Sequence, residues 1–226
     1  MKTKTIFSFT LVCLFILLNS MNATAGKKKI DFSVSEPDAK IYVDGTFVGS
    51  GSTELIIEKD QCIRVKVEKT GYLTEIKEFC NQKDGDDLPK TYRIIMLNDD
   101  AYEASIASDI VNTDIEVKTL KPEEEAWKLL SQIITNHMDV IEVTDKQTGY
   151  LRTAWEMDYF TRNTIRTRII IKLASTDPLT YKIKIVSEES QKPQTSVKND
   201  EYFKEYDRIL KKYKDIVNEV QSRFAN

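Results

Sequence analysis

The sequence predicts two β-rich domains. One is an N-terminal all-β sandwich at residues 30–97, and the other is a C-terminal α+β domain at 114–226 with an antiparallel sheet carrying two helices on one face. Three observations predict this. Residues 31–97 are short alternating runs cut by turn residues. Residues 98–113 are polar and rich in Asp, Ala and Ser, which marks a linker. Beyond them, stripes of helical period flank four more alternating runs.

The chain opens on Lys2 and Lys4, an apolar run from Ile6 to Leu18, and Ala23-Thr24-Ala25. Charged, apolar and small-residue segments in that order are those of a cleavable secretory signal, with the cut between Ala25 and Gly26. The apolar run is shorter than the roughly 20 residues a membrane-spanning helix needs. A retained anchor is the alternative. Cys13 lies inside the run and is followed by five more apolar residues, so lipidation there is disfavoured. The 33 basic and 36 acidic side chains give a net charge of −3, and losing Lys2 and Lys4 with the leader makes it −5. An acidic total argues against a general nucleic-acid binder. No other run is long enough to cross a membrane. The expected location is the periplasm or the cell surface.

Gly26 to Ile30, with Lys27, Lys28 and Lys29, reads as a solvated tail. Strand-like runs follow: Phe32 and Val34, Ile41 and Val43, Leu55 to Ile57, Ile63 to Val67, Leu73 to Phe79, and Tyr92 to Leu97. The turns between them are Pro37-Asp38, Asp44-Gly45, Gly49 to Gly51, Thr70-Gly71 and Asp84 to Pro89. A hairpin centred on Gly71 sets Cys62 opposite Cys80, which predicts a disulfide in an oxidising compartment. Two buried free thiols are the alternative. Ile76 and Phe79 fall on opposite faces of that hairpin, and a β-bulge in its second strand would bring them together.

In the second half, Asp114 to Leu120 alternates. Pro122 and Glu123 to Glu125 then open a helix over 122–136 with Ala126, Trp127, Leu130, Ile133 and Ile134 on one side. Strands are predicted at 139–144, 150–157, 164–173 and 179–187. The first two are joined by the turn Asp145 to Gly149, and the last two by Thr176-Asp177-Pro178. A polar loop at 188–199 leads into a long helix at 200–224, whose stripe runs from Tyr202 and Phe203 to Val220 and Phe224. Its face is read as core-facing, with a partner helix as the alternative.

No catalytic, cofactor-binding or metal-binding residue is assigned, and no cofactor is expected. The one histidine, His137, falls at a helix C-terminus, where a cation suits the dipole. Asp84-Gly85-Asp86-Asp87 lacks the alternating acids and distal Glu of a calcium loop and reads as an acidic turn. A carboxylate pair for sugar hydrolysis has 36 acids to draw on, and nothing singles one out. One surface feature stands out. If Leu151, Thr153, Trp155 and Met157 point toward the helices, as do Ile165, Thr167, Ile169, Ile171, Tyr181, Ile183 and Ile185, then Arg152, Arg166, Arg168, Lys182 and Lys184 form a basic row on the opposite face. Such a row suits an anionic glycan, a lipid headgroup or a partner segment. Plain solvation of an exposed face by long cationic side chains is the competing reading.

Ser35-Glu36-Pro37-Asp38-Ala39-Lys40-Ile41-Tyr42-Val43-Asp44-Gly45, with Val48-Gly49 and Lys69-Thr70-Gly71-Tyr72, resembles the PEGA domain family over about residues 30–97. Asp38-Ala39 replaces the family's Glu-Gly-Ala, and Gly49-Ser50-Gly51 stands where Thr-Pro often follows the second Gly. The resemblance implies a small surface or scaffold β-sandwich without catalytic residues. Residues 114–226 are similar in pattern to the lipoprotein C subunit family of the outer-membrane β-barrel assembly machinery, through Trp127, Val140 to Val143, Thr148-Gly149, Thr153 and Trp155. That similarity implies a helix-grip arrangement, although a convincing lipidated Cys, as in that family, is absent. The expected function is that of a non-catalytic exported envelope protein binding a glycan or another envelope protein. The alternatives are an accessory factor in outer-membrane protein assembly, holding a peptide between helix and sheet, and an unidentified hydrolase.

Overall fold

The computed structural model describes residues 26–83, 85 and 87–225. The leader up to Ala25, and Asp84 and Asp86 of the acidic turn, lie outside them. The fold is mostly β-sheet with a C-terminal helix. Its contacts group into two units, one ending at Met96 and the other taking Gly71–Leu73 and Leu97–Asn226.

The first unit holds β1 (Lys28–Val34), β2 (Lys40–Val43), β3 (Thr46–Ser50), β4 (Ser52–Ile57), β5 (Cys62–Glu68), β6 (Glu75–Cys80) and β7 (Thr91–Ile94). They form two sheets, in the orders β4-β1-β7 and β3-β2-β5-β6. Alternation decides which side chains lie between the sheets. Ile30, Phe32, Leu55 and Ile57 from one, and Ile41, Ile63, Val65, Val67 and Phe79 from the other, are buried. Phe32 meets Phe79 edge-on, with ring centroids 6.3 Å apart. The run Lys27–Lys29 is no free tail. Lys28 and Lys29 belong to β1, and all three lysines pair with acids: Glu58, Asp87 and Glu54.

β5 and β6 pair from Cys62↔Cys80 to Val67↔Glu75 without a break. The disulfide forms at the predicted rung, with an S–S distance of 2.03 Å. The expected bulge in the second strand is absent. Phe79 points inward and Ile76 is simply left 49 % exposed.

The second unit includes the stretch read as a linker. Residues 98–113 carry α1 (Asp100–Ala104) and β8 (Ser105–Ala107). Asn112 then ties them to the sheet, donating to the carbonyls of Ser187 and Tyr206 and accepting from the Ser187 amide. A polar composition here reflects satisfied backbone and not a mobile connector. β9 (Ile115–Lys118) and α2 (Glu123–His137) follow, with Pro122 just ahead of the first helical residue. The main sheet then comprises β10 (Ile141–Asp145), β11 (Tyr150–Thr153), β12 (Glu156–Tyr159), β13 (Thr164–Thr176) and β14 (Leu179–Ser190). Its order is β10-β11-β13-β14-β15, with β12 beside β13, β9 beside β14 and β15 at Lys204–Glu205. Gly149 closes the β10–β11 turn at φ +65°, where an added Cβ would overlap the Leu173 side chain.

The predicted 200–224 helix is the main correction. Only α3 (Ile216–Ala225) is α-helical, and short 3-10 turns occupy Asp200–Tyr202 and Lys211–Tyr213. Between them, β15 pairs with Glu188 and Glu189, and β16 (Arg208–Leu210) pairs with β8. Long-range strand pairing outweighs a local period that aromatic and β-branched residues support only weakly. The C-terminal part of the stripe is buried nonetheless, with Ile209, Leu210, Tyr213, Ile216, Val217, Val220 and Phe224 in the core, whereas Tyr202 at its start is exposed.

α2 and α3 both pack on the inward side of the sheet. Ala126, Trp127, Leu130, Ile133 and Ile134 meet Leu151, Ile165, Ile169, Ile171, Tyr181, Ile183 and Ile185 in one cluster. Tyr181 is fully buried, its ring 6.2 Å from Trp127 and 6.3 Å from Phe224. His137, at the end of α2, places its Nε2 2.9 Å from Glu219 Oε2 on α3, so a carboxylate holds it as well as the helix end.

Glu189 yields the first prediction. Burial first, then the Asp99 and Asp207 charges, raise its carboxyl above the ordinary value of 4.5. The stability that follows from this shift is complete below 4.5 and is lost as pH rises through the raised folded value. Glu189→Gln keeps an oxygen for the Asn163 amide, now 2.7 Å from Glu189 Oε1. The variant is expected to melt higher than the parent at pH 7 and no higher at pH 4. An equal shift at both pH values would trace the effect to packing instead of charge.

Candidate functional site

The outward face of the main sheet carries the predicted basic row. Cross-strand register places Val143, Arg152, Ile170 and Lys184 in one line across β10, β11, β13 and β14. Tyr150, Lys172 and Lys182 form the next line, and Arg168 with Val186 a third. All five predicted cations lie on this face, but most are matched by an acid. Arg152 pairs with Glu142 at 3.0 Å, Lys182 with Glu116 at 3.7 Å and Lys184 with Asp114 at 3.6 Å.

Arg166 departs furthest from the expectation of a displayed cation, being only 4 % exposed. Its Nε donates to Glu188 Oε2 at 2.7 Å, while Nη1 reaches the Asp200 carboxylate and, at 3.3 Å, the Val197 carbonyl. Its guanidinium lies 4.2 Å from the Trp155 ring centroid and 4.0 Å from that of Phe203. The segment around 197–203, which the sequence reading assigned to loop and helix, therefore covers this end of the face.

Trp155 and Met157 were expected to point toward the helices. Leu151 pairs with Ile171, whereas Met157 pairs with Arg166. The sum of paired numbers thus changes by one between β11 and β12. An irregularity at 154–155 reverses the alternation, which turns Met157 outward and brings the Trp155 ring onto the arginines. Strict alternation carries no sign of this step.

Arg168 is the exception to the charge balance. Its guanidinium lies 4.0 Å from the Trp155 ring centroid, and it makes no ion pair or hydrogen bond among the described residues. Its Nε is buried without a partner. Burial and then the neighbouring Arg152 charge lower its pKa below the ordinary guanidinium value, yet a guanidinium stays cationic at neutral pH. A half-buried cation held on an aromatic ring, without its own counter-ion, suits a carboxylate, sulfate or phosphate group brought by a ligand.

Sequence reasoning missed Lys172, which continues the outward set Arg166, Arg168 and Ile170 on β13. It is exposed, and its side chain has no ion pair or hydrogen bond among the described residues. The same alternation that gave the row would have found it. No group of three or more metal-ligating side chains occurs among the described residues. No helix among them is long and apolar enough to cross a membrane. No family model, curated protein or solved structure matches the chain.

Proposed function

We propose that the chain is a non-catalytic, exported envelope protein whose second unit binds an anionic glycan on the outward sheet face, with Arg168 as the anion contact. The unpaired Arg168 guanidinium on Trp155 carries this reading, because Arg152, Lys182 and Lys184 on the same face are neutralised by nearby acids. Export is inferred from the order of segments in residues 1–25, and the Cys62–Cys80 bridge agrees with an oxidising compartment. On this reading the first unit is a PEGA-like sandwich acting as a surface or scaffold module, and the second is a helix-grip-like domain. A glycan is preferred to a peptide held between helices and sheet, because Trp127, Leu130, Ile133 and Val220 already fill that space. Trp155 also sets an aromatic ring beside the cations.

The mature protein, residues 26–226, is to be tested on immobilised polygalacturonate with neutral dextran as control. A charge-assisted contact contributes about 1.5–3 kcal/mol. Arg168→Ala is therefore expected to weaken retention about tenfold or more, with dextran bound by neither protein. Unchanged retention of Arg168→Ala would remove Arg168 as the contact.

A further inference from the structure

Lys172 extends this site, and the extension rests on the reading just given. Arg168, Ile170 and Lys172 project from the same side of β13, the outward one. At about 3.3 Å per residue, the two cations stand roughly 13 Å apart along the strand. Neither has an ion pair among the described residues. Each has an aromatic neighbour: Trp155 touches Arg168, and Tyr150 lies opposite Lys172 in the register. Of the acids on the face, Glu188 on β14 is taken up by Arg166, and Glu142, Asp145, Glu116 and Asp114 sit on or beside β10 and β9, so neither Arg168 nor Lys172 has an acid of its own. β13 is also interior to the sheet, paired on both sides. A peptide cannot join it by backbone hydrogen bonds, which need a free edge. A ligand must lie across the side chains.

We propose that Arg168 and Lys172 form a two-point site for an extended polyanionic saccharide, whose chain runs along β13 over Ile170 and Arg152 and presents carboxylates to both cations. Binding then depends on chain length, because the second contact is made at the high effective concentration set by the first.

The test uses galacturonate oligomers, dimer against hexamer, with the mature protein and the Arg168→Ala and Lys172→Ala variants, each checked for fold by circular dichroism. The hexamer is expected to bind the parent at least about tenfold more tightly than the dimer. Lys172→Ala should lose most of that advantage while binding the dimer as the parent does. If Lys172→Ala keeps the full hexamer affinity while Arg168→Ala loses it, the two-point site fails and the Arg168 contact stands. If Arg168→Ala binds both oligomers like the parent, the underlying reading fails as well. If a single-stranded oligo-dT of the same charge binds as tightly as the hexamer, the face selects charge alone and the saccharide assignment is overturned.

Discussion

Arg166→Met is expected to lower the melting temperature by about 8 °C. The side chain is buried between Trp155 and Phe203 and ion-paired to Glu188 and Asp200. Methionine fills much of the same slot but leaves Glu188 without its partner in a site only one-quarter exposed. Breaking a buried pair from one side costs about 3–5 kcal/mol. Asp200 is mostly exposed and Glu188 partly so, which places the loss at the low end, about 3 kcal/mol. For a chain of this size that corresponds to about 6–12 °C. Removing both charges separates the causes. In Arg166→Met/Glu188→Leu the only carboxylate left without Arg166 is that of Asp200, which is solvated, and stability should return to within about 1 kcal/mol of the parent. Thermal circular dichroism of the two variants decides it. If the double variant melts as low as the single one, the loss comes from the Trp155 and Phe203 contacts and not from the stranded charge. If the single variant melts like the parent, the arginine contributes no net stability.

This cluster also marks where the sequence stops being legible. Alternation placed Ile165, Ile169, Ile171, Tyr181, Ile183 and Ile185 toward the helices, and all are essentially unexposed. Counting outward from Gly71 paired Cys62 with Cys80, and a 3.6-residue period gave α2 nearly to the residue. These readings work because each depends on a local rule with a fixed period. Trp155 escaped because one irregular step at 154–155 reverses every face after it, and no composition marks that step. The burial of Arg166 escaped because its lid is the segment around Val197, Asp200 and Phe203. That segment has helical spacing but is recruited by strand partners more distant in sequence, Glu188 and Glu189. The register sets Arg152, Arg166, Arg168, Lys182 and Lys184 on one sheet face, with Arg166 buried among them. What the predicted row lacked was the acids supplied by neighbouring strands and loops, which single out Arg168 and Lys172 from the rest.

Removing the disulfide, as Cys62→Ser/Cys80→Ser, is expected to destabilise the first unit by about 3 kcal/mol. The bridge closes a loop with a sequence separation of 18, and in the chain-entropy model a loop of this length restricts the unfolded chain by about that amount. The folded state has further reasons to depend on this rung. Ile63 and Phe79, buried between the sheets, are the next pair along the ladder. Asn81, immediately after Cys80, is buried and donates to the Ile57 carbonyl on β4 at 3.1 Å, while its amide donates to the Gln61 carbonyl at 2.8 Å. Fraying at the open end of β5–β6 therefore reaches the facing sheet as well. Amide exchange resolved by peptide reads this directly. Protection should fall by about two orders of magnitude in β1, β4, β5 and β6, the equivalent of about 3 kcal/mol, and reduction of the parent protein should reproduce the pattern. If exchange quickens only at residues 61–63 and 79–81, the bridge merely staples a strand end, and the sandwich core holds its register without it.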